Sequence, residues 1–217
     1  MNMKRVSAML IGMAMSGSMV FAGDGAPGDG ASGDAKGATS SPPPLEFSPM
    51  TRYERLENYA SRLIGPEYIL RSAVSGAITQ ATNSPKEWGG GAEAYGWRVG
   101  NSFAEHVIRE TLQYGISATL HEDNRYFASR RTGFIPRLKY AVSSTLLARH
   151  DDGSRSFSFS RIGGTAGAAF ISREWQPRST NSAGDGAVTF GVTMGSEIGF
   201  NVFREFWPDV KQRFHRK

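Results

Sequence analysis

The chain has no cysteine, which excludes disulfides, a thiolate metal site and the lipid-bearing residue of a lipoprotein. It has no uninterrupted apolar run of bilayer length after residue 50. The nearest approach, 186–203, contains Glu197 and Asn201. It also lacks a Gly-x-Ser-x-Gly elbow, a phosphate-binding loop and a dinucleotide fingerprint. Gly89, Gly90 and Gly91 form a bare glycine run without the Lys and Ser or Thr that a phosphate loop needs, and read as a flexible joint. A zincin helix would place a second His four residues after His121, but that position is Arg125.

What is present begins with a secretory signal over 1–22. Lys4 and Arg5 form a positive start, 6–21 is apolar or small without charge, and Val20 and Ala22 satisfy the small-residue rule for cleavage after Ala22. A retained anchor helix is the alternative, disfavoured by Gly12, Ser16, Gly17 and Ser18. Residues 23–50 are rich in Gly, Ala, Ser, Asp and Pro, a composition that cannot offset its ordering entropy and predicts a disordered tether. Residues 51–217 are long enough for one folded domain.

The whole chain carries +5, the folded part +6, and the cations of that part are 18 Arg against 4 Lys. Arginine pairs bidentately with carboxylates and phosphates, so the excess fits either internal ion pairs or an anionic lipid or envelope polymer. Nucleic acid is not an expected partner of an exported domain.

Periodicity predicts an all-α fold: a helical bundle of five or six helices over 51–217. Helices are expected at 53–63 and 67–82, separated by Gly65 and Pro66, then at 92–120, 136–149, 161–175 with Ser160 as cap, and 185–206 before Pro208. Small residues recur at four-residue steps, as Gly191, Gly195 and Gly199, as Gly96, Gly100 and Ala104, as Gly163 and Gly167, and more weakly as Ser72, Gly76 and Gln80. On a helix each set forms a stripe where another backbone can approach, and the glycines cost about 1 kcal/mol each unless packing recovers it. The stripes therefore predict packing seams within the domain, between copies, or with another envelope protein. A competing reading is a small outer-membrane β-barrel, because the even positions of 186–202 are apolar and alternate with small or polar residues.

The chemically suggestive residues are His106, Glu110, His121 and Glu122. His106 and Glu110 lie one helical turn apart and with His121 offer three metal ligands for a hydrolase; the plainer reading is a helix-face ion pair and a turn. Glu197 is the single charge of its apolar stretch and calls for an arginine partner, Arg204 or another. Trp88, Trp97, Trp175 and Trp207 lie near element ends and suit an interfacial belt or ordinary packing. No cofactor is expected.

The segments 120–127 (Leu-His-Glu-Asp-Asn-Arg-Tyr-Phe), 137–149, 159–164 (Phe-Ser-Arg-Ile-Gly-Gly), 171–177 (Ile-Ser-Arg-Glu-Trp-Gln-Pro) and 202–209 resemble a family of exported bacterial proteins to which no activity is attached. The likeness spans most of 95–210. It implies a helical domain in the cell envelope and transfers no catalytic role. The expected function is accordingly a non-enzymatic structural or interaction protein of the envelope, with the hydrolase and the barrel as alternatives.

Overall fold

The computed structural model describes residues 48–129 and 131–215, which lie within one compact unit, Phe47–Lys217. The signal and residues 23–47 of the tether fall outside the described residues. Among those described, six α-helices and a small antiparallel sheet alternate with two 3-10 turns.

Helix α1 (Arg52–Ile64) opens on a capping box: Thr51 Oγ1 accepts from Glu54 N, and the Glu54 carboxylate accepts from Thr51 N. Gly65 ends α1 and starts α2 (Pro66–Ala81), whose first residue is a proline, where the missing N–H costs no intrahelical bond. The loop that follows is organised from α3 (Gly91–Leu120). Arg98, 1% exposed, donates to the carbonyls of Ser84, Pro85 and Gly89. Helix α3 closes on His121, which takes a left-handed conformation at φ 55°.

Strands β1 (Glu122–Asp123), β2 (Leu147–His150) and β3 (Arg155–Phe157) pair antiparallel in the order β1-β2-β3, with Glu122 opposite His150 and Leu147 opposite Phe157. This corrects the all-α expectation to a mainly helical fold with a small sheet. Helix α4 (Phe134–Leu146) is shorter than expected because Leu147–His150 is drawn into the sheet by partners on both sides.

Helix α5 (Phe159–Ile171) is capped by Ser158, whose Oγ accepts from Arg161 N; the cap thus lies two residues before the expected Ser160. Its last expected turn is instead a 3-10 segment, Ser172–Trp175. Helix α6 (Ala183–His215) contains the period-two stretch 186–202, which is helical throughout, and runs on through Pro208 rather than stopping there. Arg137 braces that turn, donating to the Glu205 carboxylate and carbonyl and to Asp209.

Helix α3 is the spine, packed by α1, α2 and α5, while α6 lies on α4 and α5. Glycine sets the closeness at particular crossings. A Cβ on Gly164 would overlap Gln113 Cγ and stand 3.0 Å from the Arg109 carbonyl oxygen; one on Gly76 or Gly167 would meet Val99 or Leu112 at 2.5 Å, and one on Gly163 would meet Ile116 at 3.1 Å. Ala104 is half-buried. At Gly96, Gly100, Gly191, Gly195 and Gly199 no described atom lies within 4 Å of such a Cβ. Those stripes face open space among the described residues.

The core inverts the usual polarity. Among the described residues the buried set comprises seven apolar residues, five of them alanine, against seventeen polar or charged ones; Trp97, Phe134, Ile135, Val188 and Phe214 are each more than half exposed. Hydrophobic residues on a surface are common, but a core of this composition is not.

Candidate functional site

The charged interior gathers around α3. His106 is stacked on Tyr68 with ring centroids 4.8 Å apart. Its Nε2 lies 2.8 Å from the Arg62 carbonyl, and Arg109 Nη2 lies 2.9 Å from its Nδ1. The carbonyl accepts and the guanidinium donates, so the neutral ring with its proton on Nε2 fits both neighbours. Burial, reinforced by the Arg109 cation, holds the imidazole below the usual histidine range.

Glu110, 3% exposed, accepts from Arg62 Nη2 at 3.4 Å, forms an ion pair with Arg62 Nε at 2.9 Å and faces Arg109 Nε at 3.4 Å; His106 Nδ1 stands 3.9 Å away. For Arg62, burial opposes the charge, but the attraction of Glu110 and the charges around it leaves its pKa raised. Two further ion pairs line the helices: Arg161 Nε with Glu197 at 3.7 Å, and Arg173 Nη2 with Glu105 at 3.1 Å. Burial lowers Arg161 and raises Glu105, with the partner opposing in each case.

Glu122 is fully buried beneath the start of α5. Its carboxylate accepts from Phe159 N and Ser160 N, each at 3.0 Å, and from the hydroxyls of Ser158 and Ser160. A carboxylate there satisfies orphan N–H groups and opposes the positive end of the helix dipole. Asn124 ties the same two serines together. His121 points the other way. It is 71% exposed and its Nδ1 lies 2.9 Å from Asp151 Oδ2, while Asp151 Oδ1 binds Arg55 Nη2 at 2.7 Å.

The structure thus brings His106 and Glu110 together, turns His121 outward to Asp151, and binds Glu122 to the start of α5, on the border of a cavity that Glu110 also borders. Among the described residues no three His, Asp or Glu side chains converge as a metal site. A cavity of about 40 Å³ does lie between α1, α3 and the 122–124 segment, bordered by Arg55, Arg62, Glu110, Gln113 and Glu122. The Gln113 amide nitrogen, on a residue only 4% exposed, has no hydrogen-bond partner. That volume suits a bound water, which would satisfy the amide. The lone pairs of Glu122 are committed to backbone and hydroxyl donors, while Glu110 sits among the Arg62 and Arg109 cations and accepts one hydrogen bond, from Arg62 Nη2.

A second hub was not foreseen in the sequence. Glu205, 2% exposed on α6, accepts from Tyr126 Oη at 2.7 Å, Ser129 N at 2.8 Å, Ser129 Oγ at 2.6 Å and Arg137 Nε at 3.0 Å. Burial pushes its pKa up, but the donors of Ser129, Tyr126 and Arg137 together outweigh it and the net shift is downward. Tyr126 is correspondingly raised, by burial first and then by Glu205. The available signal was a lone acid in the aromatic run Phe203 to Trp207.

None of the described helices is long and apolar enough to cross a membrane. Comparisons of the chain with models of known families, with curated proteins and with solved structures found no match.

Proposed function

We propose that this is an exported cell-envelope protein whose helical domain is a non-enzymatic interaction or structural module, reaching its partner on the tether left after cleavage behind Ala22. The observation that carries this reading is the inverted polarity: charged networks and alanines inside, large apolar side chains outside. Burying ion pairs and alanines takes little apolar surface out of water, whereas a partner that covers the exposed Phe, Ile, Val and Trp side chains takes out much more. A surface of that kind favours association. The buried charges are scaffold: Arg98, Glu110, Arg161 and Glu205 each tie one helix to another element.

Partners fall into two groups on this reading. The open glycine stripes of α3 and α6 suit a second copy or another envelope helix, and the excess of arginine suits an anionic lipid or polymer. The competing hydrolase would draw on His106, Glu110, His121 and Glu122.

Fractionation with N-terminal sequencing tests the proposal. The protein should be recovered with the envelope, begin at Gly23, and be released by carbonate as a peripheral component. An intact Met1 in the cytosol, or a processed protein that stays monomeric and binds neither envelope nor detergent, would sink it. Stoichiometric metal that is lost in His121→Ala would move the case to the hydrolase.

A further inference from the structure

We infer that α4 and the C-terminal half of α6 form a docking platform for an anionic lipid surface. The inference rests on the interaction reading above and supplies its partner.

The sequence supplies the charge. Between Asp123 and Asp151 there is no acidic residue, while six cations occur: Arg125, Arg130, Arg131, Arg137, Lys139 and Arg149. The tail of α6 adds Arg204, Lys211 and Arg213. Its acids Glu205 and Asp209 are both taken up by Arg137. Arg131, Lys139, Arg204 and Arg213 are exposed and have no acidic partner among the described residues.

The fold turns these residues into one platform. Phe134 packs on Phe206, Arg137 reaches Glu205 and Asp209, and Asn201 Nδ2 donates to Thr145 Oγ1, so α4 and α6 run antiparallel and side by side. On α4, Ile135, Lys139 and Leu146 recur at helical spacing on the outward face, and all three are exposed. On α6, Phe203, Trp207, Val210 and Phe214 recur in the same way, with Arg213 beside them. Phe134 is 62% exposed, Ile135 55% and Phe214 74%.

Cations alone would serve any polyanion. The apolar anchors decide the occupant, because Phe134 and Ile135 gain nothing from a hydrated polymer but leave water when they enter the boundary between lipid headgroups and chains. An anionic bilayer offers both phases at once: phosphates for arginine and lysine, hydrocarbon for the anchors. No helix needs to span for this. Two helices lying in the interface plane suffice.

The test is sedimentation of the processed protein with phosphatidylcholine vesicles, with and without phosphatidylglycerol. Binding should require phosphatidylglycerol and weaken as salt rises. Arg131→Gln with Lys139→Gln should lower partitioning about 25-fold, roughly fivefold per charge, and flatten the salt dependence. Phe134→Ser with Ile135→Ser should lower it about tenfold or more at every salt concentration. Phe134 packs on Phe206 and Arg131 lies over Tyr140, so Lys139→Gln alone and Ile135→Ser alone, which keep those contacts, should show the same directions of change, with thermal midpoints unchanged. Equal binding to both vesicle types, or no binding to either, overturns the proposal. So does binding that a soluble polyanion displaces while the Phe134/Ile135 variant behaves as wild type, a result that assigns the face to an anionic polymer. Should vesicles fail while the processed protein stays envelope-bound or oligomeric, only the lipid assignment falls; should it also be monomeric and unattached, the interaction reading falls with it.

Discussion

Replacing Gly164 by alanine puts one methyl group into the tightest described crossing of α3 and α5. The new Cβ would overlap Gln113 Cγ and lie 3.0 Å from both the Arg109 carbonyl oxygen and the Gln113 backbone nitrogen. Gln113 can rotate away in part, but the α3 backbone cannot without moving the helix. Overpacking of this kind costs about 1–3 kcal/mol, and the helix propensity of alanine returns about 1 kcal/mol. A net loss of up to about 2 kcal/mol remains, which lowers the melting temperature of a domain this size by up to roughly 8 °C. Gly195→Ala is the matched control on α6, where no described atom lies within 4 Å of the added Cβ. There only the propensity gain operates, and stability should rise by up to about 1 kcal/mol. Thermal melts followed by circular dichroism at several protein concentrations measure both. A Gly164→Ala that stabilises as much as Gly195→Ala would refute the described α3–α5 contact. A destabilising Gly195→Ala that fades on dilution would show that a second copy covers the α6 stripe.

Other expectations follow from the buried networks. Glu205→Ala should cost about 3–5 kcal/mol in urea unfolding, because Arg137, Tyr126 and Ser129 lose their shared acceptor. The lowered pKa of Glu205 means that its contribution is complete above about pH 4.5 and is lost as pH falls through the folded value. His106 works in a higher window: its depressed pKa makes its contribution complete above about pH 6.5 and progressively lost on acidification, and His106→Gln should flatten the urea midpoint below about pH 6.5. Glu105 has the opposite sign, its raised pKa removing stability as pH rises from about 4.5, and Glu105→Gln should abolish that component. Chelator should leave the melting temperature unchanged, since both His106 ring nitrogens are engaged and Glu122 is enclosed by α5 donors; a fall of several degrees that zinc restores would overturn this reading.

Local chemistry made the first half of the domain legible. The Gly65–Pro66 break, the long α3 and the end of α2 near Asn83 depend on turn residues and periodicity that act within a few positions. The misreadings share a different cause. Leu147–His150 looks helical by itself and becomes a strand only because β1, more than twenty residues earlier, pairs with it. Pro208 is a helix stop by local rules, yet α6 continues through it where Arg137 of α4 grips the preceding turn. At the site, spacing alone placed His106 beside Glu110. It could not supply Arg62, 48 residues away, whose guanidinium and carbonyl engage them both. His121 and Glu122 are adjacent in sequence but point in different directions, because His121 is itself the left-handed residue that ends α3 and Glu122 begins β1.

The polar interior and the apolar exterior have one origin. At Gly76, Gly163 and Gly167 one branched side chain, Val99, Ile116 or Leu112, lies against the bare glycine, and little volume is left for a second. Long side chains that can thread the remaining space and end in hydrogen bonds fill it instead, as Arg62, Arg98 and Arg161 do. Leucine, isoleucine and phenylalanine are then left to the outer faces. Buried ion pairs add little net stability, because desolvation cancels most of their attraction. Such a domain gains less from its own core than its size would allow, and gains more than most when another apolar phase covers its surface. The close crossing at Gly164 and the exposure of Phe134 and Ile135 are in this sense the same design seen from inside and outside.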